Sequence, residues 1–113
     1  MHAVKGLLGA SALPALTGCS TIQGWFSPAP NVEMKMLRLD AAAGTSEMLI
    51  RLGPGVTVPG HSHRKEEQMV ILEGECQLGE HLLRAGDTHV APPGSWHPPI
   101  TVRGSVLLLL RSE

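Results

Sequence analysis

From residue 32 onward, hydrophobic residues occur in short runs that are separated by turns rich in Gly and Pro. Nine of these runs are rich in Val, Ile and Leu and have the length of β-strands. They cover residues 33–39, 47–52, 56–58, 67–72, 75–78, 81–83, 88–91, 100–102 and 106–111. The 13 Gly and 9 Pro leave no stretch for a long amphipathic helix. The pattern therefore predicts an all-β domain, either a sandwich or a small barrel.

The first residues of the chain have a different pattern. Lys5 precedes an apolar run at 6–16, which is shorter than the roughly 20 residues that span a bilayer and suits a signal peptide. The run ends in Leu16-Thr17-Gly18-Cys19, which resembles a bacterial lipobox. That resemblance implies a lipoprotein signal peptide at 1–18 and lipidation of Cys19. A buried N-terminal helix, or a tail with a chance cysteine, is the alternative.

Residues 19–31 connect this leader to the predicted domain. They are polar and contain two prolines, so they predict a flexible tether between the lipidated Cys19 and a domain at 32–113. The residue after the cysteine is Ser20 and not Asp. In a lipoprotein this favours sorting to the outer membrane, with the domain facing the periplasm. Trp25 and Phe26 either contact the membrane interface or pack on the domain, and the sequence leaves both open.

Composition narrows the classes of partner. The chain has 113 residues, enough for one domain, and 9 Lys and Arg balance 10 Asp and Glu. Without a basic stripe we expect no nucleic-acid partner. Trp96 is the one aromatic residue in the predicted domain, so the core should be aliphatic. If Cys19 is lipidated, Cys76 is a lone thiol and a disulfide framework is not expected.

Three histidines and a glutamate form the candidate chemical site. Residues at i and i+2 of a strand share a face, so His61 and His63 project together. Two imidazoles fill an apolar core poorly, because each leaves a ring nitrogen that needs a partner. Glu67 can add a carboxylate from the next strand, and His97 follows the turn at 92–94. Such a set suits Zn, Fe, Mn, Ni or Cu better than Mg or Ca.

The spacing of these residues resembles both signature motifs of the cupin superfamily. The first segment reads Gly55, five residues, His61, one, His63, three, Glu67, six, Gly74. The second reads Gly86, five residues, Pro92, one, Gly94, two, His97. The resemblance implies a double-stranded β-helix, or jelly roll, with a divalent transition metal inside the barrel on His61, His63, Glu67 and His97. We expect Zn first, with Fe, Mn or Ni as alternatives.

Within the superfamily the chain is most similar to ChrR-like cupin domains. The similar stretches are 61–67, with its paired glutamates, Leu72-Glu73-Gly74, and Pro93 to His97. Thr101 stands where the second motif usually has Asn, and two prolines follow His97. The anti-sigma function of that group is not carried over, since an exported lipoprotein does not meet a cytosolic sigma factor. The resemblance also implies a homodimer, because cupins often pair through sheet edges.

Other polar residues have simpler interpretations. Strand alternation places Glu66 on the face opposite Glu67, and Cys76 is interpreted as a small buried residue. His89 is interpreted as a surface or rim histidine and His81 as solvated. Trp96 either caps the barrel or contacts a substrate. Aliphatic pocket-lining candidates are Val56, Val58, Met69, Ile71, Leu82 and Val90.

Three functions are compatible with this set. The first is a metal-dependent sensor or binding module for a small ligand. The second is an enzyme, such as a dioxygenase or isomerase acting on a small metabolite, which needs an open position on Fe or Mn. The third is an interaction domain that a metal stabilises, as a closed four-coordinate Zn would do. No residue identifies a substrate, so the sequence does not decide whether the domain is an enzyme.

Overall fold

The computed structural model of the protein describes residues 24–62 and 65–113, without the side chain of His61. The predicted signal peptide, the lipidation site Cys19 and the predicted ligand His63 lie outside these residues. The described part is all-β, as predicted, and contains no helix long and apolar enough to span a membrane. Its strands are β1 Phe26–Ala29, β2 Val32–Asp40, β3 Thr45–Leu52, β4 Thr57–Val58, β5 His61–Ser62, β6 Glu67–Leu78, β7 His81–Arg84, β8 Thr88–Ala91, β9 Trp96–His97, β10 Ile100–Thr101 and β11 Val106–Ser112.

Strand β6 organises the main sheet. The strand order is β1-β2-β3-β11-β6-β10-β4, and β7 and β8 also pair with β6. The first part of β6 lies antiparallel between β11 and β8, and its last part lies antiparallel between β7 and β10. A single 12-residue strand therefore belongs to two walls of a curled sheet.

Gly74 lies between the two parts of β6. Its φ is +77°, and a Cβ there would collide with the carbonyl oxygen of Ser105 on the chain leading into β11. Glycine is the residue that adopts this conformation without strain. The register with β11 also shifts next to it, between Leu107 and Leu108, as a β-bulge does where a strand bends. The glycine of the first motif therefore has a structural role.

The core is aliphatic, as the composition predicts. Alternate residues of β3, β6 and β11 point inward, among them Ile50, Ile71 and Leu108, each with no more than 2% of its surface exposed. The thiol of Cys76 is buried with them, as predicted. Trp96 points outward with 62% of its surface exposed. The wall of the barrel thus depends on close packing of branched and thioether side chains.

The folded part begins before residue 32. Strand β1 lies inside the segment for which a flexible tether was predicted, and it pairs with β2 through Phe26 opposite Met34. The guanidinium of Arg51 lies 4.6 Å from the centre of the Trp25 ring, a cation–π contact. Of the two alternatives for Trp25, the structure shows packing on the domain.

Candidate metal site

The backbone brings two of the predicted ligand positions together. Strands β5 and β9 form a separate two-stranded sheet in which His61 lies directly opposite His97. Gly60 permits this approach, because a Cβ there would lie 2.5 Å from the carbonyl oxygen of His97 and 2.8 Å from the Trp96 ring. Glycine before the first histidine therefore allows the two motifs to meet.

Glu67 and His97 line one cavity inside the barrel. The rest of its described lining is mainly aliphatic: Ile50, Leu52, Val58, Met69, Leu78, His89, Ala91, Ile100, Leu108 and Leu110. Its volume is about 40 Å³, counted as space for the centres of water molecules. One water needs about 10–15 Å³ by this measure, so the cavity has room for about three waters.

The carboxyl group of Glu67 is strongly affected by this apolar surrounding. Glu67 opens β6 with a half-buried side chain, whereas Glu66 beside it is exposed. Burial raises the pKa of Glu67 from 4.5 to about 7, because an apolar environment disfavours the charged form. The two neighbouring glutamates thus differ as strand alternation predicts, and Glu67 is the one that reaches the cavity.

His97 is the one polar residue that is buried in the described part of the chain, with 8% of its surface exposed. Its Nδ1 lies 2.7 Å from the carbonyl oxygen of Pro98. A carbonyl only accepts, so Nδ1 carries the proton in this hydrogen bond and Nε2 is the basic nitrogen of the neutral ring. Ligating histidines usually donate their other N–H to an oxygen in this way.

The residues just before Glu67 are attached to two other parts of the domain. The Lys65 ammonium donates to the carbonyl oxygen of Gly44, in the β2–β3 connection, at 2.8 Å. The backbone N–H of Glu113, after β11, donates to the carbonyl oxygen of Glu66 at 2.9 Å. The connection that leads into β6 is therefore fixed by hydrogen bonds to two other parts of the domain, and Glu67 follows directly after it.

His89 is placed differently from the sequence interpretation. It was expected at the surface or rim, but its half-buried ring lines the same cavity as Glu67 and His97. Burial, and secondly the charge of His81, lower the pKa of His89. In the same strand β8 the apolar Val90 points outward and is 48% exposed. Such an inverted strand suggests that the polar residue faces inward.

The four predicted ligands are only partly described. Among the side chains that the structure describes, no three His, Cys, Asp or Glu groups lie close enough together to hold a metal. His63 and the side chain of His61 lie outside that description. The set His61, His63, Glu67 and His97 therefore stays a prediction, while Glu67 and His97 share a cavity as it requires.

With this geometry established, the chain can be compared with known proteins. Residues 17–112 match the family model described as the ChrR Cupin-like domain. The chain belongs to this cupin family. Cupins commonly bind metals. The comparison with curated proteins gave no significant match.

Solved structures agree with this assignment. An RmlC-like cupin from Shewanella frigidimarina NCIMB 400 has a TM-score of 0.70 and 18% identity, with 82% of this chain and 85% of that chain covered. A chain of Rhodobacter sphaeroides SigE in complex with the anti-sigma ChrR has a TM-score of 0.68 and 23% identity, covering 83% of this chain and 50% of that one. These identities show the fold alone, and the predicted jelly-roll cupin fold is confirmed.

A third similar solved structure has a name that indicates a different function. The putative acetylacetone dioxygenase from Methylibium petroleiphilum PM1 has a TM-score of 0.69 and 12% identity, with 80% of this chain and 70% of that chain covered. Proteins of this fold thus include a partner of a sigma factor and a putative oxygenase. Since one fold carries several functions, the function of this domain has to be argued from its own site.

Proposed function

We propose that this cupin domain holds one divalent transition metal on His61, His63, Glu67 and His97, with Zn expected first and Fe, Mn or Ni as alternatives. The observation that carries the proposal is the cavity shared by Glu67 and His97. An ionised carboxylate is unfavourable in this apolar setting, as its raised pKa indicates. A divalent cation beside it would favour the ionised form, so the cavity fits a metal.

The two histidine positions support the same site. The hydrogen bond from Nδ1 of His97 to Pro98 selects the tautomer whose Nε2 can ligate a metal. His61 lies opposite His97 in the β5–β9 ladder. The backbone register of this ladder is therefore compatible with the proposed pairing of positions 61 and 97 at one site.

For the metal-loaded domain we propose a role as a sensor or binding module for a small ligand. The cavity keeps room for about three waters and has an aliphatic wall. A few polar groups in an otherwise apolar pocket are typical of small-molecule sites. An open position on Fe or Mn would instead support an enzyme, such as a dioxygenase or isomerase. Because the cavity has room for a small substrate, the enzyme is kept as the alternative function.

We also propose that the protein is a lipoprotein attached through Cys19 to the outer membrane and facing the periplasm. The support is the short apolar run at 6–16 and the box that ends at Cys19. Labelled fatty acid should enter the wild-type protein but not Cys19→Ala, with Cys76→Ala as the matched control. Incorporation into Cys19→Ala, or a wild-type protein that retains Met1 and stays in the soluble fraction, would contradict this attachment.

The metal proposal is tested by metal analysis of matched variants. Wild-type protein should bind about one metal ion per chain, and His97→Ala should lose most of it. Glu67→Gln should bind more weakly, because the amide has no charge. The controls are His81→Ala and Glu66→Gln, which change exposed residues of the same types and should bind as wild type does. Equal metal loss in each control and its partner variant would refute the assignment of ligands.

A further inference from the structure

We propose that His89 recognises a small oxygen anion in this cavity, of the class of short-chain carboxylates, and donates a hydrogen bond to it. The aliphatic end of the ligand would pack on the cavity wall. The inference rests on the proposed metal site and adds to it, because His89 is none of the four proposed ligands. It assigns to His89 a role in binding and specificity.

The register of β6 and β8 places His89 close to Glu67 without making them direct partners. Glu67 lies opposite Ala91, and Met69 lies opposite His89. Glu67 and His89 are therefore diagonal neighbours on the inner face, and the Cα atoms of such neighbours are about 7–8 Å apart.

His89 is a third polar side chain on the wall of the cavity, beside Glu67 and His97. Glu67, His89 and His97 all have described side chains that line the cavity, yet no three described side chains of ligand type converge as a metal group. The proposed site also has four ligands without His89. His89 is therefore a polar side chain on the cavity wall that the proposed metal set does not use.

The charges in the cavity favour an anion with a single charge. Among the described residues of its lining, none is Lys or Arg. A divalent cation with one carboxylate and three neutral imidazoles has a net charge of about +1, which a monocarboxylate would balance. Burial keeps His89 mainly neutral at neutral pH, and a neutral imidazole still has one N–H to donate to a carboxylate oxygen.

The volume of the cavity favours short acids. About 40 Å³ of space for water centres corresponds to about three waters. The aliphatic walls formed by residues such as Leu52, Val58 and Ile100 would favour a chain of one or two carbons beyond the carboxylate. Propionate is therefore a suitable probe, and propylammonium is the matched probe of opposite charge.

The test is calorimetric titration of the Zn-loaded full chain with propionate, with the metal content measured in the same samples. Wild type should bind propionate but not propylammonium, and metal-free protein should bind propionate much more weakly. His89→Leu should keep its metal and bind propionate at least about tenfold more weakly, because a hydrogen bond to a charged group is lost. Thr88→Leu, a change of the exposed residue next to His89 in β8, should bind as wild type does.

Each contrary result has a distinct meaning. Unchanged propionate affinity in His89→Leu would overturn the role of His89, and loss of the metal in that variant would make His89 a ligand, also against the proposal. Wild type that holds metal but does not bind propionate would refute the ligand class while the metal site stands. Wild type without bound metal would refute the proposed function as well, and the metal analysis alone would show it.

Discussion

Strands β3 and β8 have opposite arrangements of polar and apolar residues. In β3, Met48, Ile50 and Leu52 are buried, as in an ordinary strand with one face toward the core. In β8, His89 faces the cavity and the apolar Val90 faces outward. The difference indicates that the inner face of β3 serves stability, whereas that of β8 includes a polar position whose benefit lies in the site.

The largest expected effect comes from the buried face of β3. Met48→Ala should lower the free energy of unfolding by about 2–5 kcal/mol, because it removes a buried side chain and leaves a cavity. Val90→Ala, on the exposed face of β8, should change it by less than about 0.5 kcal/mol. Urea unfolding of both variants measures the contrast. Equal effects would mean that the two strands do not differ in this way.

The pH dependence of stability is the next largest effect, and it concerns metal-free protein. The pKa of Glu67 is about 7 in the folded state, against an ordinary value of 4.5, so the folded state binds more protons between these values. The contribution of Glu67 to stability should be largest below about pH 4.5 and should fall by about 1–2 kcal/mol as the pH rises to 7, after allowance for solvent screening of a half-buried group.

Glu67→Gln should remove that part of the pH dependence, because an amide does not titrate. Glu66→Gln is the control, since its side chain is exposed. Denaturant unfolding at pH 4.5 and pH 7.5, with a chelator present, measures the difference for each variant. A wild-type profile that rises between these pH values and is unaffected by Glu67→Gln would contradict the buried carboxyl.

A smaller effect is expected where β8 is changed toward the pattern of β3. His89→Leu should leave the stability of metal-free protein unchanged or raise it by up to about 1 kcal/mol, because an apolar side chain suits this cavity better than an imidazole. Thermal unfolding with a chelator present measures it. A loss of more than about 1 kcal/mol would show that His89 is needed for folding, against the contrast with β3.

The smallest effect is expected at the outer face of β3. Arg51 pairs with Glu33 at 3.7 Å and lies over the ring of Trp25, and both contacts are near solvent. Arg51→Ala should lower stability by about 0.5 kcal/mol or less and change the fluorescence of Trp25. Arg103→Ala, also exposed, is the control. An unchanged spectrum in Arg51→Ala would exclude the ring contact in solution.

Spacing and alternation predicted much of this domain. The motif positions led to the cupin fold, and alternation separated Glu66 from Glu67 as the structure does. Two predicted strands, 67–72 and 75–78, are instead one continuous β6, because Gly74 bends the strand without ending it. Strand β1 was missed, because it lies in a polar segment with prolines and forms by pairing with β2.

The lining of the cavity was predicted less well than the motif. Val58 and Met69 line it as expected, but Val90 and Leu82 are exposed, at 48% and 43%. Their hydrophobicity led to the wrong assignment, because the register of a short strand with distant partners decides which of its residues point inward. For β8 that register is set by β6, which places His89 opposite the buried Met69. A local pattern does not contain this information.

The central claim, a metal bound by both cupin motifs, is tested most directly by X-ray absorption spectroscopy of the Zn-loaded protein. The account predicts a first shell of nitrogen and oxygen at about 2.0–2.1 Å with imidazole scattering, and fewer imidazoles around the residual Zn that His97→Ala retains. A shell that contains sulfur at about 2.3 Å would point to a cysteine and contradict the proposed ligands. A spectrum that is the same in wild type and His97→Ala would also contradict them.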